Sequence, residues 1–587
     1  MQNGKNAMAV NVDKIVKMDG TVKTDGLKRF SALRPSYLLV VAICTIPLIP
    51  GFLAVMLASL SYIPPVGLHH FSLSGYQQVI TWHGLTGSIL LTVSSTLIST
   101  YLALLLCFSI LQGIYHRKIW QRIEALIAPL LAMPHVAFAI GFAFLFAPTG
   151  MIARLFQHWF SIDLSHKSWF SLVQDPHAIG LTLVLALKET PFLILMSIPI
   201  IQQLNVTKLA QVSQSMGYSI NQLWWKVVLP QWLPKMRFAL FSVLAYGVSV
   251  VDLSVIMGPN RPPTLAALVW QWFNDANLSH IPRAAAGAML LFTIASLILL
   301  LAVFIEKLSM HFCHRWQYSG RYGLPLPGKT ALALITLLTT VLFPLMLSWS
   351  FSLRWRFPDI WPSHLSSRFW QQEWPNLWPT IGSSIMLALC CATCALLLAL
   401  IAHEYRAKYR WHLPNYVVAL PMLIPQLSVL LGIQITSLFL ASNQYFLWVL
   451  WAHIFFAFPY VYLSMDGPWR SYNSHYSHTA LSLGKSPLST LLRVKLPILR
   501  PAVAYAWAIG ASVSLAQYLP TLMLGGGRIN TITTEAVALS SGFDRRVTAI
   551  YALWQAALPF VFFTIAILAG KSRWSRKKLM HRSSKQT

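Results

Sequence analysis

Long apolar runs separated by short polar or basic loops dominate the chain. Twelve of them reach the roughly 20 residues that a helix needs to cross a bilayer. They lie near 37–61, 85–111, 123–146, 179–203, 236–257, 284–304, 330–351, 380–402, 414–440, 446–465, 502–524 and 548–570. The pattern predicts an all-α integral membrane protein with about 12 transmembrane helices, six in each half. Loops carrying Arg117, Lys118 and Arg122, or Arg406, Lys408 and Arg410, alternate with loops such as 62–84 that hold no Lys or Arg. On this topology 33 of the 44 Lys and Arg residues fall on one side of the membrane, ten on the other and one inside it. That asymmetry assigns the basic side to the cytoplasm. The expected layout is a cytoplasmic tail (1–36), a first half (37–304), a cytoplasmic linker (305–329), a second half (330–570) and a basic cytoplasmic tail (571–587).

Composition agrees. Of 587 residues, 56% are apolar and 10% charged, and the mean hydropathy is +0.58, which excludes a soluble domain. A net charge of +28 by itself suggests nucleic acid. Its one-sided placement removes that reading, and no nucleic-acid partner is expected. Six cysteines without an extracellular framework imply no disulfide scaffold. Cys390, Cys391 and Cys394 sit inside an apolar run without partner ligands and read as small packing residues, so no metal is expected.

One polar stretch occurs twice. QVSQSMGYSINQLWWKVVLPQWLP begins at Gln211, and HTALSLGKSPLSTLLRVKLPILRP begins at His478. Gly217 and Gly484 stand 267 residues apart, as do Ser219 and Ser486, Leu229 and Leu496, Pro230 and Pro497, and Pro234 and Pro501. A shared register of this length marks an internal duplication. Each copy reads as a helical hairpin. The glycine closes one helix in the left-handed conformation and the serine caps the next. Gln222 completes a capping box, and Pro487 occupies a first helical position. Ile220, Leu223, Trp224 and Val227 line one face, and Leu488, Leu491, Leu492 and Lys495 share that spacing. Pro230 and Pro497 are expected to end the helix. Pro134 and Gly141 are matched by Pro425 and Gly432 at an offset of 291. Six spans per half then make a parallel repeat.

The twin hairpins resemble the coupling (EAA) loop of ABC importer permeases: a glycine, Leu-Pro twelve residues on, then a further proline. The resemblance implies a type I importer permease fold in a bacterial inner membrane, both termini cytoplasmic. Coupling loops 205–235 and 472–501 would dock two copies of an ATPase subunit, and a periplasmic substrate-binding protein would deliver the solute. Docking falls on Gly217, Leu229, Pro230, Gly484, Leu496 and Pro497, with Ser219 and Ser486 as caps. The family's glutamate is replaced by Gln211 and His478. Two halves in one chain look like the fused permeases of the thiamine and ferric-iron branch, to which WAHIFFAFPYVYLS from Trp451 is similar. The chain also resembles YnjC-type permeases, whose second half likewise opens with a Trp- and Pro-rich loop, here RWRFPDIWPSHL from Arg354.

Five residues are candidates for the translocation pathway. Lys188 and Glu189 lie inside the fourth run, where each charge costs roughly 2.5–3.5 kcal/mol at mid-bilayer. They either line the pathway or bond to a neighbouring span. Asp252 and Gln517 are expected near the outer ends of the fifth and eleventh runs, as cavity or interfacial groups. His453 reads as a pathway ligand or a satisfied interior histidine. Arg354, Arg356 and Arg368 break the charge rule in an outward loop rich in tryptophan. They either anchor the interface or meet an acidic partner. No GxxxxGK[ST] loop occurs, so ATP is used by partner subunits, and no cofactor or catalytic residue is expected in this chain. A secondary transporter would also show six plus six spans, but the loop between the second and third runs, QGIYHRKIWQR, lacks that family's signature. A membrane-embedded enzyme would need clustered His or Asp at one leaflet.

Overall fold

The computed structural model describes residues 33–115, 120, 133–165, 171–319, 322–409, 412–440, 443–542 and 544–571. The N-terminal tail up to residue 32, the C-terminal tail from residue 572, residues 123–132 of the third run, and Arg117, Lys118, Arg122 and Arg410 lie outside the described residues. The regular elements among the described residues are helices, apart from one two-stranded ribbon, Ser352–Arg354 with His364–Leu365, and an isolated bridge between Ile63 and Leu68.

Among the described residues nine helices are long and apolar enough to cross a membrane. They become ten if Pro487–Ile498 and Arg500–Ala516, bent by 86°, form one span. Runs without an internal break are recovered closely: Leu85–Ile114, Ile179–Gln203, Gly328–Phe351, Tyr445–Ser471 and Arg545–Gly570. Two overrun their apolar cores. The sixth continues to Tyr318, and the eighth starts at Arg368, taking Trp370, Trp374 and Trp378 from the expected loop into helix.

The fifth, ninth and eleventh runs are interrupted. The fifth is Arg237–Ser249, a break at Val250 (ψ 121°) and Val251 (ψ −48°), then Asp252–Met257. The eleventh is Arg500–Ala516, a break at Gln517 (ψ 118°) and Tyr518 (ψ −66°), then Leu519–Gly525. Val250 and Gln517 are again 267 residues apart. The register persists into two short buried helices, Leu265–Phe273 and Ile532–Ser540. A helix start buried in apolar surroundings needs an acceptor for its free amides. The Leu265 amide donates to Thr92 Oγ1 at 2.8 Å, and the Ile532 amide donates to Ser384 Oγ at 2.9 Å. The second and eighth segments thus hold equivalent helix starts.

The halves interlock. Leu33–Cys44 packs on the eighth and tenth segments of the other half, and Leu48–Ser59 lies between the ninth segment and the sixth of its own half. The Tyr37 and Tyr405 rings stack at 3.9 Å, and Gly51 meets Gly432. A Cβ on Gly432 would fall 1.7 Å from the Gly51 carbonyl oxygen, so only glycine fits. The seventh segment, in turn, packs on the second and third, with Leu342 and Met346 against Ile140 and Phe142 in one core.

Candidate transport site: twin hairpins and a polar pathway

In the first hairpin Val206–Ser215 ends in a Schellman motif. Tyr218 N–H donates to Ser213 O (2.9 Å) and Gly217 N–H to Gln214 O (3.0 Å), with Gly217 at φ +79°. The second repeats it atom for atom: Lys485 N–H to Ala480 O (3.1 Å), Gly484 N–H to Leu481 O (2.9 Å), and Gly484 at φ +79°. Ser219 Oγ accepts from Gln222 N–H (3.3 Å) while Ser219 N–H donates to Gln222 Oε1 (2.7 Å), a full capping box. Ser486 Oγ accepts from Ser489 N–H at 3.2 Å, and Pro487 opens the helix.

Pro230 and Pro497 do not end these helices, contrary to the expectation. Each follows a five-residue π turn, Trp224–Val228 or Leu491–Lys495, and the chain stays helical through Leu229–Trp232 or Leu496–Ile498. The physical reason is visible in the first copy. Pro230 has no N–H to give the Lys226 carbonyl, and the Gln317 side-chain amide takes that carbonyl instead at 3.1 Å.

The periodic apolar face of the first hairpin is covered by the chain itself. Leu223 and Trp224 are turned inward, packed with Trp232 around Phe108, and leave Val212, Met216 and Tyr218 as the exposed apolar residues of the first tip. On the second hairpin Leu488 and Leu492 are exposed with Leu481 and Leu483. Gln211 and His478 are exposed on the leading helix of each hairpin; Leu229, Pro230 and Leu496 are half-buried and Pro497 is exposed.

What lies beneath the hairpins differs too. Under the first runs the inter-half linker. Gln112 Nε2 donates to Leu324 O (2.9 Å), Leu326 N–H donates to Gln112 Oε1 (3.2 Å), and Trp225 Nε1 donates to Leu324 O (2.8 Å). Gln112 and Glu404 are 292 residues apart, the separation of Thr92 and Ser384. Glu404 instead pairs with the Lys495 ammonium, which lies 4.0 Å from the Trp469 ring centroid.

The candidate pathway residues fall beside the two helix breaks. Lys188 and Glu189 each reach the third segment. Lys188 Nζ donates to Met133 O at 2.5 Å and sits 5.8 Å from the Phe138 ring; Glu189 Oε1 lies 3.0 Å from His135 Nε2. Asp252 is not near the end of an unbroken span. It is the first residue after the fifth-segment break, where a helix start favours a carboxylate. The His135 and Tyr246 rings meet with centroids 5.0 Å apart and planes tilted by 53°, and both lie within electrostatic reach of Asp252. In the second half, Tyr460 feels the charge of Glu189, and Tyr518 that of Asp252. Gln517 likewise stands at a break, its Oε1 accepting from Gln426 Nε2 at 2.8 Å. His453 is buried with both ring nitrogens bonded, Nδ1 to Ser514 Oγ and Nε2 to Thr521 Oγ1, each at 2.8 Å. Ser514 and Thr521 flank the break, so His453 bridges it.

Sequence reasoning missed His135, Gln112, Tyr246 and Tyr460. For His135 a signal existed: it follows Pro134 as Gln426 follows Pro425, within the second internal match.

No family model matches the chain. It is 31% identical over 532 residues to the inner membrane ABC transporter permease protein YnjC of Escherichia coli K12, covering 90% of this chain and 95% of that protein. Partial matches reach the spermidine/putrescine transport system permease protein PotC homolog of Mycoplasma genitalium (25% over 156 residues, 27% of this chain and 52% of the relative). They also reach the putrescine transport system permease protein PotI of Escherichia coli K12 (23% over 177 residues, 29% and 62%). The relatives are transport permeases, not enzymes. With its helical membrane-spanning fold and near end-to-end similarity to YnjC, the chain belongs to the multi-pass inner membrane ABC transporter permeases.

Proposed function

We propose that this chain forms the whole translocation pathway of an ABC importer, two permease halves in one polypeptide. In this reading twelve segments cross the membrane as two parallel six-helix repeats, and both termini are cytoplasmic. The broken fifth, ninth and eleventh segments complete the count. One ATPase subunit docks on hairpin 205–235 and a second on 472–501, through the surfaces around Gln211, Gly217, Leu229 and Pro230, and around His478, Gly484, Leu496 and Pro497. ATP is bound and hydrolysed by those subunits, and a periplasmic binding protein delivers a small solute to the outer face.

The observation that carries this reading is the recurrence, 267 residues on, of glycine turn, serine cap, π turn and Leu-Pro. Two rigid levers of one design suit a two-fold ATPase motor. Closure of the ATPases draws the levers together; the continuous helical stretch from Ile220 to Ser249, and Pro487–Ile498 through its 86° bend to Arg500–Ala516, carry that motion into the broken spans. In this reading Lys188, Glu189 and Asp252 act at the first break, and His453 and Gln517 at the second.

Purification of the full chain with its ATPase tests the proposal. Two ATPase copies per chain are expected by native mass measurement. Single cysteines replacing Ser215 and Ser482 in a cysteine-free background should be shielded from an impermeant reagent in intact cells, whereas one replacing Ser363 should react. ATP turnover by the chain alone, or labelling of either hairpin from outside, overturns the reading.

A further inference from the structure

At three matched positions the two hairpins differ in what covers them. Leu488, Leu492 and Arg493 of the second hairpin are exposed. Their counterparts 267 residues earlier are Asn221, Trp225 and Lys226, and none of these is exposed. The linker between the halves lies over all three. Gly323 abuts the first, where an added Cβ would fall 2.5 Å from the Asn221 carbonyl carbon and 2.4 Å from Gln222 N. Trp225 Nε1 donates to Leu324 O at 2.8 Å. Lys226 Nζ donates to Trp316 O at 3.2 Å and stands 5.2 Å from the centroid of that indole.

The linker hides that face and puts a new one in its place. Tyr322 and Leu324, on either side of Gly323, are 81% and 63% exposed. Their backbone is fixed, because Leu324 O accepts from both Gln112 Nε2 and Trp225 Nε1. Tyr322 is held at φ +44°, a left-handed state that a tyrosine adopts only under constraint. Apolar side chains on a backbone already ordered lose less freedom on binding a partner. Gln222, which the linker touches, is bonded to Ser219 at the hairpin turn, so this surface continues that of the tip, where Met216 and Tyr218 are exposed. We propose that the first ATPase subunit docks on a composite surface, the hairpin tip together with Tyr322 and Leu324 of the linker. The second docks on hairpin residues alone, Leu488 and Leu492 among them. One chain then offers two chemically different docking sites.

The proposal rests on the ATPase docking given above, and photochemical cross-linking separates the two. A photoreactive phenylalanine analogue replaces Tyr322 in the full chain, and in separate chains Leu324, Met216, Leu488 or Phe312. Phe312 is exposed on the same linker, one helical turn before its first hairpin contact at Trp316. Each chain is purified in lipid with the ATPase subunit that accompanies the parent, and irradiated. Positions 322 and 324 should form ATPase adducts in yields matching position 216 and well above position 312. Adducts from 216 and 488 with none from 322 and 324, or with lipid adducts alone from those two, overturn the composite site and leave hairpin docking intact. No ATPase adduct from any position overturns the importer reading and the inference with it. Tyr322→Ala combined with Leu324→Ala should weaken ATPase binding to the full chain about fivefold, through lost apolar burial. An unchanged affinity also overturns the inference.

Discussion

At Val250 and at Gln517 the chain breaks its helix with nearly the same backbone angles, yet the two breaks are filled by different chemistry. Around the first stand a carboxylate–imidazole pair, a second carboxylate and a lysine. Around the second, an amide pairs with an amide, and a buried histidine bridges two hydroxyls. His135 and Gln426, equivalent by register, show the divergence at one position. The interrupted span is therefore the shared device. A neutral filling is enough to satisfy its polar groups, so the charge at the first break serves something beyond holding the backbone.

The largest expected effect tests that contrast. Glu189→Ala removes the carboxylate from the 3.0 Å contact with His135, and losing a hydrogen bond to a charged group costs about 1.5–3 kcal/mol. Gln517→Ala removes one neutral hydrogen bond, worth about 1 kcal/mol. Thermal unfolding of the purified full chain should show a larger drop for Glu189→Ala than for Gln517→Ala, by roughly twofold. Equal losses would make the two breaks energetically alike and erase the distinction.

The hairpins invert the relation: their turns match atom for atom, while their supports differ. The first is tied to the linker through Gln112, Trp225 and the Lys226 carbonyl, the second to Glu404 through one ammonium. A β-branched residue at φ +79° costs about 1–3 kcal/mol, and since no atom lies within 4 Å of either added Cβ, the cost is backbone strain alone. Both Gly217→Val and Gly484→Val should redirect the helix that follows and weaken ATPase co-purification. The loss should be greater for Gly484→Val, because the linker holds the helix after Gly217 from a second side. The opposite order would mean that the linker contacts give the first hairpin no added rigidity.

Much of this was legible from residue types. Glycine, serine and Leu-Pro declared the hairpins because each imposes a local backbone state, and Lys188 and Glu189 stood out because charge is rare in apolar runs. The breaks were hidden. Residues 236–257 and 502–524 read as unbroken, for neither Val250 nor Gln517 is a glycine or proline. Such breaks persist because distant partners satisfy the freed polar groups, as Gln426 does for Gln517. Pro230 misled for the same reason: its stop signal is cancelled by Gln317, 87 residues further on. The first hairpin's apolar face was read correctly as amphipathic, but periodicity does not say whether the covering partner is another protein or the chain's own Phe108 and Trp232.

The smallest expected effect concerns the positions where the coupling-loop family carries its glutamate. Gln211 and His478 are both exposed, one on each leading helix, and neither offers a fixed negative charge. Docking should then draw on the exposed apolar residues beside them: Val212 and Met216 on one tip, Leu481 and Leu483 on the other. Removing the side chain of Gln211 or His478 by alanine should stay within about 0.5 kcal/mol, or roughly twofold in ATPase affinity, as for most surface changes. Met216→Ala and Leu483→Ala should each cost more, because the apolar area they bury on docking contributes about 25 cal/mol per Å². Titration of each variant with purified ATPase, at matched full-chain concentration, gives the four affinities. If Gln211→Ala weakens binding more than Met216→Ala, a polar contact persists at the glutamate position, and shape does not carry the first interface as it does the second.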